Sequence, residues 1–240
     1  MPLNYFLLGT SYNNLNQYDN AVPEFEEALE IFKKWDSKPY GNYYYIQLGS
    51  AYHKTGQYQK EKQLYRKAEQ DFPDDPSIIR RQAVLALTEG DTVEANRYIE
   101  KYKSINKANI TRSLADIYSE AGIPDKAEQY YRQGLSLDPK STWRMHILAY
   151  FLIDKDRNIN EGIELVDKAL ESNSDNFNYL HTKGWGFFKQ GKYQEALEIL
   201  QKSWDLRREK AMTMRHSYIS KQQKRLLQVR NRCHYHGFSQ

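Results

Sequence analysis

A small residue recurs in this chain at intervals close to 34 residues, and each recurrence carries the same neighbours. The small positions are Gly9, Gly49, Ala83, Ala115, Ala149 and Gly184. Seven residues later a Gly follows in four cases, Gly56, Gly90, Gly122 and Gly191, and Asn16 takes that place in the first. Twelve residues after the small position stand Ala21, Glu61, Ala95, Ala127 and Ala196. Four further on is a bulky residue (Phe25, Tyr65, Ile99, Tyr131, Leu200), and three beyond that Ala28, Ala68, Tyr102, Gly134 and Ser203. Steps of three and four mark one face of a helix. Two antiparallel helices approach closely only where the side chains at the crossing are small and bulky residues fill the flanks. Gly between them permits the positive φ that ends the first helix. Each period is therefore read as a helix, a turn and a second helix. Pro73 and Pro139 close two of the units, because proline cannot continue a helix.

Composition agrees with a repeat array. A compact globule of this length buries about 70–75% of its unfolded surface, yet the chain is only 40% hydrophobic and has a mean hydropathy of −0.87. Such polarity suits units that touch only their neighbours. The 20 Tyr fit half-buried helix seams, with an apolar body and a polar tip. A single Cys excludes an internal disulfide framework. No apolar run reaches the roughly 20 residues that span a bilayer, and the start, MPLNYFLLGT, lacks the basic region and cleavage site of a secretory signal. The cytoplasm is the default expectation. The first unit begins at residue 2 with nothing to cap it, so the chain is also read as a fragment of a longer protein. Association of two copies through Tyr5 and Phe6 would cover that open end.

The pattern resembles the tetratricopeptide repeat, whose signature runs Trp, Leu-Gly, Tyr, then Ala, Phe, Ala and Pro. Leu8-Gly9-Thr10-Ser11-Tyr12 and Leu48-Gly49-Ser50-Ala51-Tyr52 match its first helix; Ala21, Phe25 and Ala28, and Gly191, Tyr193 and Ala196, match its turn and second helix. The resemblance covers residues 2–207 as six units starting near 2, 42, 76, 108, 142 and 177. It implies an all-α fold: an α-solenoid of six helix-turn-helix repeats in a right-handed superhelix, plus a C-terminal helix. Three departures stand out. KKWDSKPYGN is inserted after the first unit, where longer helices are expected. The fifth unit has a stretched turn, Asp154–Asn160, and its crossing shifts by one residue to Gly162. In the third unit, Gln82, Ala83 and Ala86 replace Leu-Gly and Tyr.

In such a solenoid the first helices line the concave face. Three residues before each small position the series reads Phe6, Ile46, Arg80, Arg112, His146, His181; one after, it includes Asp116, Tyr150 and Trp185; six before and four after add Trp143 and Phe188. Arg80, Arg112, His146 and His181 form a ladder of cationic or switchable donors, while Trp143, Tyr150, Trp185 and Phe188 supply aromatic surface. Arg with aromatics is the composition of interface anchor sites. The expected function is a non-enzymatic protein-interaction scaffold whose groove, with Asp116 among its residues, takes a peptide or partner segment carrying carboxylates. Trp185, in a Gly-Trp-Gly stretch, could equally pack on its neighbour. Members of this family that bind the carboxylate of chaperone tails use Lys and Asn in the first helices; the matching places here are Phe6, Thr10, Gln47, Ser77 and Arg81, of which only Arg81 fits.

Catalysis finds no support: no Gly-rich phosphate loop, HExxH or GxSxG is present. No cofactor, metal or small-molecule substrate is expected. Cys233, His234 and His236 place three potential ligands at a terminus, without the fixed frame that zinc needs. The Glu-rich run Glu24–Glu30 is read as a solvated helix face.

The net charge of +4 is uneven. Arg207–Gln240 holds nine Lys or Arg and one acid, a net +8, which leaves −4 for residues 1–206. Residues 208–240 are thus a basic tail, and the rival function is binding of nucleic-acid phosphates or an anionic membrane through it. Nucleic acid is disfavoured because the tail breaks every rule of the body. Read one base early, Lys221–Arg230 can encode Glu-Ala-Ala-Lys-Lys-Ala-Val-Ala-Gly-Gln, an Ala-rich helix of the kind that caps a solenoid. A frameshifted end is the alternative, and the nucleotide sequence decides between the two.

Overall fold

The structure, a computed structural model, describes residues 1–213. Twelve helices are described, and among these residues there is no strand. They are α1 (Pro2–Asn14), α2 (Tyr18–Lys34), α3 (Tyr43–Lys54), α4 (Tyr58–Asp71), α5 (Pro76–Thr88), α6 (Thr92–Ile105), α7 (Ile110–Glu120), α8 (Pro124–Leu137), α9 (Thr142–Asp154), α10 (Ile159–Ser172) and α11 (Phe177–Lys189). The twelfth, α12, begins at residue 193 and runs unbroken across residue 207 to 213. The rest of the basic tail lies outside the described residues.

The chain divides into two compact units, Met1–Gly134 and the part from Leu135 onward. In the first unit α1/α2, α3/α4 and α5/α6 pack as hairpins. α7 and α8 join through a stack of Tyr118 on Tyr130, 5.5 Å between centroids. The first helices of successive hairpins lie side by side, α1 on α3, α3 on α5 and α5 on α7. In the second unit α9 packs on α10 and α11, and α11 is joined by α12, where Ser203 Oγ donates to the Phe177 carbonyl (2.7 Å). The all-α repeat fold expected from the periodicity is the fold observed.

The crossings show why the spacing works. Gly9, Gly49, Ala83, Ala115, Ala149 and Gly184 are all buried, as are Ala21, Glu61, Ala95, Ala127 and Ala196 opposite them. A Cβ at Gly9 would sit 2.7 Å from the Phe25 ring, and one at Gly184 2.7 Å from Leu200 Cγ. In the fifth hairpin a Cβ at Gly162 would lie 2.6 Å from Ile153 Cγ1 and 3.0 Å from the Ala149 carbonyl oxygen. Gly162 is thus the crossing residue there.

Every hairpin turn holds one left-handed residue seven positions after the small residue. Four are the expected glycines, with φ between +70° and +77°; the others are Asn16 (φ 57°) and Asp156 (φ 52°). Asn and Asp tolerate this region better than other non-glycine residues. The stretched fifth turn therefore keeps its turn register at Asp156, and its extra residue falls before α10. Side-chain caps fix several helix starts: Asp75 accepts from the Ser77 and Ile78 amides, Asp91 from Glu94, and Asn176 from Asn178 and Tyr179. The insertion after the first hairpin lengthens α2 to 17 residues against 14 in α4, and Trp35 and Tyr40 pack edge-on against Phe32.

Candidate partner-binding surfaces

In the first unit, the charged residues proposed from sequence are already engaged in ion pairs. Arg80 Nη2 lies 2.6 Å from Glu120 Oε1, and Arg81 Nη1 lies 3.0 Å from Glu120 Oε2. One carboxylate at the end of α7 therefore bridges two guanidiniums of α5. Burial by itself would lower the Arg80 pKa, but the hydrogen bond and charge of Glu120, with Asp116 behind it, hold it above the ordinary arginine value. On α7, Arg112 Nε is 3.3 Å from Asp116 Oδ2, one turn along the same helix. Asp116 Oδ1 accepts the Tyr131 hydroxyl at 2.5 Å, and burial together with that bond pushes the Tyr131 pKa well up. Asp116 is thus both a partner of Arg112 and an anchor between α7 and α8. A ligand carboxylate arriving here meets arginines already holding acids and has to displace Glu120 or Asp116.

In the second unit the face of α9 and α11 is aromatic and more open. Trp143 and Tyr150 on α9 are 37% and 46% exposed, and Phe188 on α11 is 46% exposed. Trp185 and Phe188 stack one turn apart, with centroids 5.1 Å apart and planes at 10°. Lys189 Nζ lies 5.4 Å above the Trp185 ring while pairing with Asp156 at 2.7 Å, and Tyr193 tilts against Phe188 at 5.6 Å. The glycines flanking Trp185 face inward: a Cβ at Gly186 would meet Ile163 Cγ1 at 2.8 Å, as one at Gly184 would meet Leu200. Close packing on both sides directs Trp185 away from the crossing, toward its own helical neighbour.

The two histidines differ. His181 is exposed. The His146 ring packs on Tyr179 (4.8 Å), and its Nε2 lies 2.9 Å from Thr182 Oγ1. Thr182 Oγ1 also lies 3.1 Å from the Asn178 carbonyl oxygen, so the hydroxyl links the imidazole to its own helix. Its geometry is that of a bridge between α9 and α11. Phe6, which the sequence placed on the groove and at the open end, is packed among Phe25, Tyr43 and Tyr44.

Sequence reasoning passed over two features. Glu61 stands at a crossing where four other units carry Ala and is 1% exposed; His53 Nδ1 lies 3.0 Å from its Oε2. Burial raises its pKa, opposed by His53 and by the charge of Arg81. The signal was available: an acid in an alanine register, with a histidine on the facing helix. The second feature is a pair of grooves between successive second helices. One, of 780 Å³, lies between α2 and α4 over the Tyr45, Leu48 and Tyr52 face of α3. Tyr45 there donates to Asp71 and Tyr52 to Glu26, so part of the Glu-rich run serves as anchor as well as solvated face. The other, of 210 Å³, lies between α4 and α6 over Gln82 of α5. Among the described residues no helix is long and apolar enough to cross a membrane. Cys233, His234 and His236 lie outside these residues.

Paired helices with small residues at each crossing and first helices laid side by side define an α-helical repeat protein. Three family models described as tetratricopeptide repeat match residues 2–73, 113–141 and 178–211, together more than half of the chain. The chain belongs to the tetratricopeptide repeat family. It is similar to tetratricopeptide repeat protein 29 of Macaca fascicularis, 27% identical over 143 residues, a match that takes in 54% of this chain and 30% of that relative. The chain thus spans about a third of the length of the curated relative it matches. Among solved structures it is similar to TTC0263, a thermophilic repeat protein of Thermus thermophilus (20% identity, 82% of this chain and 99% of that one, TM-score 0.47). It is also similar to the Cut9–Hcn1 assembly of the APC/C (13%, 85% and 40%, TM-score 0.48). The repeat fold supports a protein-interaction scaffold in general.

Proposed function

We propose that this chain is a non-enzymatic scaffold, built from residues 2–207, that holds a peptide or partner segment against the faces of its first helices. The observation that carries the reading is the Trp185–Phe188 stack, part-exposed beside Tyr193 and held by two glycines whose inner faces are filled. A rigid aromatic pair offers large apolar area with little side-chain entropy left to lose, which is what anchor residues need. Trp143, Tyr150 and His181 lie on the same two helices and supply further contacts. His146 acts by holding α9 to α11. In the first unit Arg80, Arg112 and Asp116 form a second face, where an acidic segment binds by exchanging with Glu120.

Selection of peptides from a displayed random library on the full chain tests this. Peptides selected on the wild type should bind Trp185→Ala/Phe188→Ala at least about tenfold more weakly, the loss of one good anchor. Acidic members should also weaken on Arg80→Ala/Arg112→Ala. Full affinity in the aromatic double variant, with its helix content intact, would remove the proposal.

A further inference from the structure

The groove between α4 and α6 differs from its neighbour in one residue of its floor. The position just before the small residue is Leu8, Leu48, Leu114 and Leu148 in four hairpins, and Leu48 floors the groove between α2 and α4. In the third hairpin it is Gln82, only 4% exposed. Gln82 Nε2 donates to Glu69 Oε2 and to the Tyr98 hydroxyl, both at 3.1 Å, which orients the amide. Its Oε1 is buried and has no partner among the described residues. The Tyr98 oxygen accepts from Gln82 and from Arg97, so its own proton is left to donate; burial raises the Tyr98 pKa against the opposing charge and hydrogen bond of Arg97. The groove floor thus holds one unspent acceptor, sealed from water by its neighbours, beside one unspent donor, and a ligand that uses both has to part the lining side chains to reach the Gln82 oxygen.

We propose that this groove binds the carboxamide side chain of an asparagine or glutamine from a partner protein. A carboxamide carries an N–H donor for Gln82 Oε1 and a carbonyl acceptor for Tyr98 O–H on one planar group. A carboxylate has no donor for Gln82 and would face Glu69. An ammonium or guanidinium has no acceptor for Tyr98. Charge favours neither ion, because Lys62, Arg66 and Arg97 in the lining balance Glu69, Glu89 and Glu94. Size points to a side chain: 210 Å³ is below the roughly 300–1,000 Å³ typical of sites for whole ligands. The site is independent of the first-helix faces, so either proposal can fail alone.

The test is an NMR titration of the labelled full chain with three probes that share a backbone, the N-acetyl methylamides of glutamine, glutamate and methionine. The glutamine probe should give saturable shifts at the Gln82 side-chain amide and at Tyr98, with the other two giving none. Gln82→Leu, which restores the residue of the other hairpins, and Tyr98→Phe should each weaken it about tenfold, near the upper end for one hydrogen bond. Free glutamine forms a further arm: saturation by the probe alone places the carboxamide in a protein chain, and equal saturation by free glutamine would overturn the protein source. Equal response to the three probes, no saturable response, or undiminished binding in both variants would overturn the site itself.

Discussion

Replacing Gly49 with alanine tests the packing logic at its tightest point. An added Cβ would fall on the Tyr65 phenol, closer than any real contact, and Tyr65 is fully buried between α3 and α4 with its hydroxyl unpartnered. Neither side can yield into solvent. Overpacking of this kind costs about 1–3 kcal/mol, and alanine recovers about 1 kcal/mol of helix propensity relative to glycine. The net expectation is a loss of up to about 2 kcal/mol. The third hairpin supplies the control, since it carries Ala83 opposite Ile99, both buried. Gly49→Ala combined with Tyr65→Ile rebuilds that pair in the second hairpin. Urea unfolding followed by circular dichroism, on the wild type, both single variants and the double, closes the cycle. A coupling energy of about 1–2 kcal/mol in favour of the double is expected, within the range for residues in contact. Additive single effects, or a Gly49→Ala chain more stable than wild type, would refute the argument that glycine is there to admit Tyr65.

Two further outcomes follow from the charges. Glu61 has a raised pKa in the fold because it is buried, so the folded chain holds that proton more tightly than the unfolded one. Stability from this group is therefore gained as pH falls through the raised value, and the gain is complete below the ordinary value of about 4.5. Glu61→Gln should be more stable than wild type at neutral pH, with the difference shrinking toward pH 4.5; His53, Arg81 and Glu89 surround both forms. A difference independent of pH in urea midpoints would count against it. Glu120→Ala frees Arg80 and Arg81 and should tighten binding of a labelled hexaglutamate peptide by up to about fivefold, the worth of a part-exposed ion pair. Weaker binding in that variant would show that Glu120 is not the competitor.

The repeat was legible because its determinants are local. Gly9 and Ala21, or Gly184 and Ala196, stand twelve residues apart, and the turn residue between them lies at a fixed offset, so one hairpin's worth of chain contains the whole code. Asp156 shows the limit of reading by residue type: it occupies the turn position without being glycine, and only its φ reveals the role. The surfaces were less legible. That Arg80 faces the first-helix side follows from periodicity, but its pairing with Glu120, forty residues on, depends on how α5 and α7 lie side by side. His146 carries the same helical register as His181, yet one is tied to Thr182 and the other is exposed.

By itself, then, the amino-acid order determined the helix pairs and their crossings, since small residues at three- and four-residue steps leave antiparallel helices a single close approach. Tertiary structure decided which polar groups remain available. Whether Arg80 or Gln82 can still meet a partner depends on Glu120 and Glu69, which lie in neighbouring hairpins, and no spacing along the chain records which of their hydrogen bonds are already spent.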